Sequence, residues 1–228
     1  MRTMSKAISF KSNPLLANYI DSKGLVNYKK IKEEKWFWEQ INYLQNIQVE
    51  KLSDNELFAF WLNTYNLLTI KGVLDILEKN PNWKGNTSLL GKLKFFILKK
   101  HKVADKKLTL NYIEHKIIRK QFRDPRIHFA INCGSTSCPF LPTKIIQPDK
   151  LEKTLDGLTS FFINSGNIQF DHNKKILFVS KIFKWYRKDF KRVGGIKHFI
   201  SIYLKAKIKD IQDYKIKFLK YDWSLNNQ

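Results

Sequence analysis

Acidic residues are scarce in this chain, and cysteine is scarcer. Its 228 residues hold 20 Asp+Glu against 42 Lys+Arg, a formal charge of +22. Two cysteines, Cys133 and Cys138, cannot build the disulfide framework of a secreted mini-domain. The six prolines and nine glycines are scattered, with no linker, repeat or low-complexity tract. The chain therefore reads as one domain over 15–228 behind an N-terminal extension of 1–14. No apolar run approaches the roughly 18 residues that span a bilayer, so no transmembrane segment is expected. The start MRTMSKAISFKSNP is basic but has no apolar h-region, which as written implies a cytoplasmic protein. Glycine-rich phosphate loops and a Gly-x-Ser-x-Gly elbow are both missing, so no cofactor is expected.

Arginine is also thin. Only Arg2, Arg119, Arg123, Arg126, Arg187 and Arg192 occur, so nearly all of the positive charge is lysine. Base readers favour arginine, and the lysines are spread through most segments. A solvated basic surface is therefore preferred over a nucleic-acid site, with contact to an anionic surface kept as the alternative.

What the chain has is apolar bulk: 43% hydrophobic and 14% aromatic residues, enough for a substantial core. Helices are expected over 14–22 and 31–46, joined at Gly24. Ser53-Asp54-Asn55-Glu56 is a capping box that opens a long helix to about Lys79, stopped by Asn80-Pro81. That helix is apolar nearly all round from Leu57 to Ile70, which marks it as central. Residues 89–101 read as helix, 102–107 as a short turn, and Thr109 as the cap of a helix over 110–120. The alternation in Arg126–Cys133 predicts a strand ending in the loop Gly134–Pro139. Pro148 opens another helix, residues 167–179 form a hairpin, Gly194-Gly195 precede an amphipathic helix, and 215–221 alternate as an edge strand. The class is α+β, a helical first half packed on a small, mainly antiparallel sheet.

Either cysteine could serve as a nucleophile. Cys133 ends the expected strand, and Cys138 before Pro139 suits a helix start, where the dipole would lower its pKa. A thiol nucleophile needs a base and a group that orients the base. His115 and His128 are the candidate bases; on an unbroken strand His128 and Cys133 face opposite ways, which ranks His115 first. Glu114 would be half buried beside the apolar line Leu110, Ile113 and Ile117, with Arg119 or Arg126 as its partner, and either it or Asn63 would orient the catalytic imidazole. Asn63 and Asn66 interrupt the greasy central helix, and either would clamp a loop or orient the histidine. Backbone amides of Gly134–Ser137, with Ser135 beside the nucleophile, are expected to hold an oxyanion. The two histidines and two cysteines could also be metal ligands, but the four-residue gap between the cysteines is at the outer edge of zinc spacing. That same gap can close as a disulfide.

The segments FAFWLNTYNLLTIKGVL (58–74), LTLNYIEHKIIR (108–119), DPRIHFAINCGSTSCPFL (124–141), SKIFKWYRKDF (180–190) and YDWSLN (221–226) resemble the domain-of-unknown-function family numbered 547. The resemblance runs over roughly residues 15–226. It implies a fold similar to papain-like cysteine peptidases, and bacterial relatives that are often exported, which leaves a periplasmic or envelope location open. The family's distinctive residues fall on Asn63, Tyr65, Asn66, Glu114, His115, Arg119, His128, Cys133 and Cys138, and among these Cys133 is the preferred nucleophile. The expectation is a cysteine-dependent hydrolase or acyl-transferase acting on an amide or thioester of a small molecule or peptide. The alternative is a non-catalytic binding domain whose basic face meets an acidic partner or envelope component.

Overall fold

The computed structural model describes residues 16–205 and 211–228. The expected extension 1–14 lies outside these residues. Of the helix expected over 14–22, only a 3-10 turn, Leu16–Tyr19, is present. The side chain of Asn27 accepts from the Lys30 amide and starts α1, Tyr28–Glu33. Glu34 is extended and separates α1 from α2, Lys35–Asn46.

The long central helix is α3, Asp54–Lys79. Glu56 closes its capping box, accepting from the Ser53 amide at 2.9 Å and the Ser53 hydroxyl at 2.7 Å. Every residue from Phe58 to Ile70 is buried, as an all-round apolar helix requires. α4, Leu89–Lys92, runs on as a π-helical stretch, Leu93–Leu98. The helix stops there. Residues 100–101, expected to be helical, instead begin β1, Lys100–Val103, which pairs antiparallel with β2, Lys106–Thr109. The expected turn over 102–107 is thus the end of a hairpin, with Ala104 in the left-handed region and its amide bonded to Leu44 in α2.

Thr109 caps the next helix as expected, its hydroxyl accepting from the Tyr112 amide. α5, Leu110–Tyr112, widens into a π-helix over Ile113–Ile118 and closes with α6, Arg119–Gln121. The wide turn puts Ile113 and Ile118, five apart, in the core in place of the expected Ile113 and Ile117 pair.

Arg126–Cys133 is not a strand. Ile127–Ala130 form the single-turn helix α7. The Asp124 carboxylate accepts from the Arg126 amide and grips its guanidinium, and backbone bonds from Ile127, His128 and Phe129 close the turn. Residues 127–132 are all buried, so the alternation that suggested a strand sorted no residue to solvent. No helix begins at Cys138, so the dipole argument for that thiol falls.

A 3-10 turn, Pro148–Lys150, leads into α8, Leu151–Asn164. β3, Ile168–Asp171, and β4, Ile176–Val179, make the expected antiparallel hairpin. α9, Lys181–Trp185, α10, Arg187–Lys191, and α11, Ile196–Tyr203, follow. β5, Lys215–Phe218, pairs parallel with β4 at the edge of the three-stranded sheet. The protein is α+β. Two apolar clusters form its interior, one around α1–α3 and the π-helical turns, the other around Phe129, the hairpin and α9–α11.

Candidate active site

A cleft of about 470 Å³ opens where those clusters meet. One wall comes from α4 and its π-helical continuation, the other from α9 and the C-terminal residues Tyr221 and Trp223. Its lining is mainly apolar, the usual character of a ligand site. Six residues singled out in the sequence line it together: Tyr65, Glu114, His115, His128, Cys133 and Cys138.

Cys133 and Cys138 are joined as a disulfide. The Cys133 sulfur also meets the hydroxyls of Ser135 at 3.0 Å and Tyr221 at 3.3 Å, which lie 3.1 Å from each other. Burial pushes the Tyr221 phenol well above its ordinary pKa, so it stays a donor. The loop is shaped from below. Asn66 in α3 donates to the Ala130 carbonyl at 2.9 Å and accepts from the Asn132 amide at 2.8 Å. Asn132 accepts in turn from the Gly134 amide and donates to Pro139. Gly134 has φ +75°, a backbone region that favours glycine, and a Cβ there would come within 3.3 Å of Val73.

The amides of Gly134, Thr136 and Ser137 already have acceptors within the protein. They are bonded to Asn132, Ser224 and Asp222, so these three donors of the expected oxyanion hole are already engaged. Asn63 is also away from the cleft. It exchanges two hydrogen bonds of 2.9 Å with the backbone of Ile146, a helix–loop clamp.

Glu114 is drawn inward by the π-helical turn and is 7% exposed. Neither arginine pairs with it. Tyr65 donates to one carboxyl oxygen at 3.2 Å, and Tyr186 donates to the other. Burial, with the Glu114 charge second, raises both phenols well above their ordinary pKa, which keeps the donors protonated. Arg126 instead binds Asp124, Glu152 and Asp156 and ties α7 to α8.

Arg119 donates to Asp189 in α10 at 2.7 Å and to His115 Nδ1 at 2.8 Å. An arginine can only donate, so His115 Nδ1 accepts and its Nε2 carries the hydrogen. His128 is arranged the other way. It is 2% exposed and stacked on the Tyr186 ring at 3.7 Å, and its Nε2 donates to Asp189 at 2.9 Å. Burial lowers its pKa, outweighing Asp189, so the ring is neutral. Among the described residues, His128 Nδ1 has no hydrogen-bond partner. Burial would raise the Asp189 pKa, but the bonds from His128 and Arg119 win and hold it far below the usual carboxylate range.

Asp189, Tyr186 and Tyr221 were not chosen as site residues from the sequence. Their signal was present in the segments KWYRKDF and YDWSLN, which carried no role until the fold brought them to α5–α7. Among the described residues no group of three or more metal-ligating side chains gathers, and no helix is long and apolar enough to cross a membrane. The sequence profile of a family described as "Protein of unknown function, DUF547" matches residues 49–163. No curated protein and no solved structure matches the chain.

Proposed function

The chain belongs to the DUF547 family, and from that premise we propose that its cleft is the site of a cysteine-dependent hydrolase or acyl-transferase in which Cys133 is the nucleophile, His128 the base and Asp189 the group that orients the base. One observation carries this reading. His128 is neutral, is held at Nε2 by Asp189 and keeps a buried Nδ1 with no partner among the described residues, and His128 and Cys133 both line the cleft. This reverses the ranking drawn from the sequence. His115 uses Nδ1 to accept from Arg119, so its free nitrogen is a donor and not a base. His115 and Glu114 then serve as polar contacts for the substrate.

The disulfide is the resting form. A small-molecule thiol reduces it and is itself oxidised to a disulfide, which leaves Cys133 and Cys138 as thiols. The Cys133 proton passes to His128 Nδ1. Ser135 and Tyr221 donate to the thiolate, which favours the charged form. The sulfur attacks a carbonyl carbon, the C–N or C–S bond to the leaving group breaks, and the imidazolium returns its proton to that group. Water, or a second nucleophile, then releases the acyl group from the thioester. The apolar walls suit an acyl portion with substantial hydrocarbon. The cleft takes Tyr65 from α3 and Trp223 from near the C-terminus, which supports reading residues 15–228 as one functional unit. A disulfide at rest fits an oxidising compartment better than the cytosol.

A second reading, a binding domain without turnover, draws support from the apolar lining and from the disulfide that occupies the sulfur. Alkylation by iodoacetamide separates the two. After reduction, Cys133 should react with an apparent pKa below the ordinary thiol value of about 8.5. His128→Ala should move that profile up, and Cys133→Ala should abolish hydrolysis of a long-chain acyl thioester. A Cys133 pKa that is ordinary and indifferent to His128→Ala would end the catalytic reading.

A further inference from the structure

The helix that walls the cleft leaves an apolar ridge uncovered along the cleft's open rim. Leu89 is 83% exposed, Leu90 67% and Leu98 58%, with Leu93 and Ile97 also open to solvent. Leu89, Leu93 and Ile97 recur every four residues and form one ridge. The opposite face is seated: Phe95 is buried against Gly72, where a Cβ would meet its ring at 2.9 Å. A surface helix normally turns polar residues outward, so an apolar ridge on this scale needs a counterpart. Across the mouth stands Trp185, exposed and in ring contact with Tyr221 and Trp223.

The charge around the ridge has one sign. Between Glu78 and Asp105 the sequence has seven lysines and no acidic residue. Lys99 among them pairs with Asp75 in α3. On the far side Lys181 and Lys184 precede Trp185, and Lys92 sits over the Trp223 ring at 3.9 Å. The Lys92 pKa is lowered, by burial first and by the charge of Lys181 second, so cations crowd the mouth. A second copy of the chain would bring like charges face to face. An anionic lipid surface offers what both features require, hydrocarbon for the leucines and phosphate for the lysines.

We propose that this ridge docks the protein on an anionic phospholipid bilayer, with Leu89, Leu90, Leu93 and Ile97 entering the boundary between headgroups and acyl chains and the flanking lysines resting on headgroup phosphates, so that the cleft opens onto the membrane. Docking depends on the exposed ridge and its lysines and not on the chemistry of Cys133, so the two ideas fail separately.

Sedimentation with vesicles of phosphatidylcholine, alone or mixed with phosphatidylglycerol, tests it. The protein should bind the mixed vesicles and not the neutral ones, and the Trp emission should shift to the blue. Leu89→Glu with Leu90→Glu should weaken partitioning by more than about tenfold, and Lys94→Glu with Lys100→Glu by a similar factor. All four side chains are exposed, so the melting temperature should hold. Cys133→Ala should bind as the wild type does. Failure to bind mixed vesicles at low salt overturns the proposal. So does leucine-variant partitioning equal to wild type. A dimer in light scattering that the leucine variant abolishes would assign the ridge to a second copy instead.

Discussion

Asn66 shows how one amide controls the reactive loop. It holds the Ala130 carbonyl and the Asn132 amide, both buried, two bonds before the chain turns into Cys133. Asn66→Ala strands both groups, which should cost on the order of 1–3 kcal/mol and lower Cys133 alkylation, checked by denaturant melts and thiol labelling. His101 in β1 makes a different case. It is buried, its Nε2 has no partner among the described residues, and burial lowers its pKa to about 4, with Lys99 and Lys71 adding to the effect. The unfolded chain takes up this proton near pH 6.5 and the folded chain only near 4. Stability is therefore full above about 6.5 and falls as the pH drops to about 4, by up to about 3 kcal/mol from this residue. His128, also lowered by burial, acts in the same direction. His101→Leu should flatten part of the acid limb of a plot of Tm against pH; an unchanged limb would refute the assignment.

At the scale of elements, turns matter more than the regular stretches. The π-helical turn over Ile113–Ile118 moves Glu114 inward to Tyr65 and Tyr186 while leaving His115 partly exposed. The α7 turn depends on Arg126, which joins Asp124 to Glu152 and Asp156 of α8. Those bonds use the planar fork of the guanidinium, which lysine cannot reproduce. Arg126→Lys should cost about 1–2 kcal/mol and loosen α7 against α8, seen as faster amide exchange over 127–130. Exchange and stability like those of the wild type would show that charge alone suffices there. The sequence made the long helix legible because its capping box and its Asn-Pro stop are local. It misplaced Arg126–Cys133 because alternation distinguishes a strand only where it sorts residues between core and solvent, and here residues 127–132 are all buried.

For the whole molecule, a charge of +22 sets a background that no single contact removes. Like charges over one small surface repel in the folded state, and salt screens them with a Debye length of about 10 Å at 0.1 M. Raising sodium chloride from 10 to 300 mM should therefore lift Tm by roughly several degrees, measured by calorimetry. A Tm that fell with salt would mean that the ion pairs of Asp189 and Arg126 outweigh the repulsion. The cleft is a property of this scale as well, because its walls come from two apolar clusters far apart in sequence.

By itself the sequence determined the α+β class, the buried central helix, the hairpin of β3 and β4, and the family. Each rests on a local rule: a cap, a periodicity, a turn or a run of shared motifs. It also brought Glu114, His115, His128, Cys133 and Cys138 under suspicion, since those residue types carry chemistry wherever they stand. Only the tertiary structure decided their partners. Asp189 lies 61 positions from His128 and Tyr221 lies 88 from Cys133, and no local pattern encodes contacts at such range. The free nitrogen of His128 follows from the distant Asp189, whereas that of His115 is set by Arg119 one helical turn away.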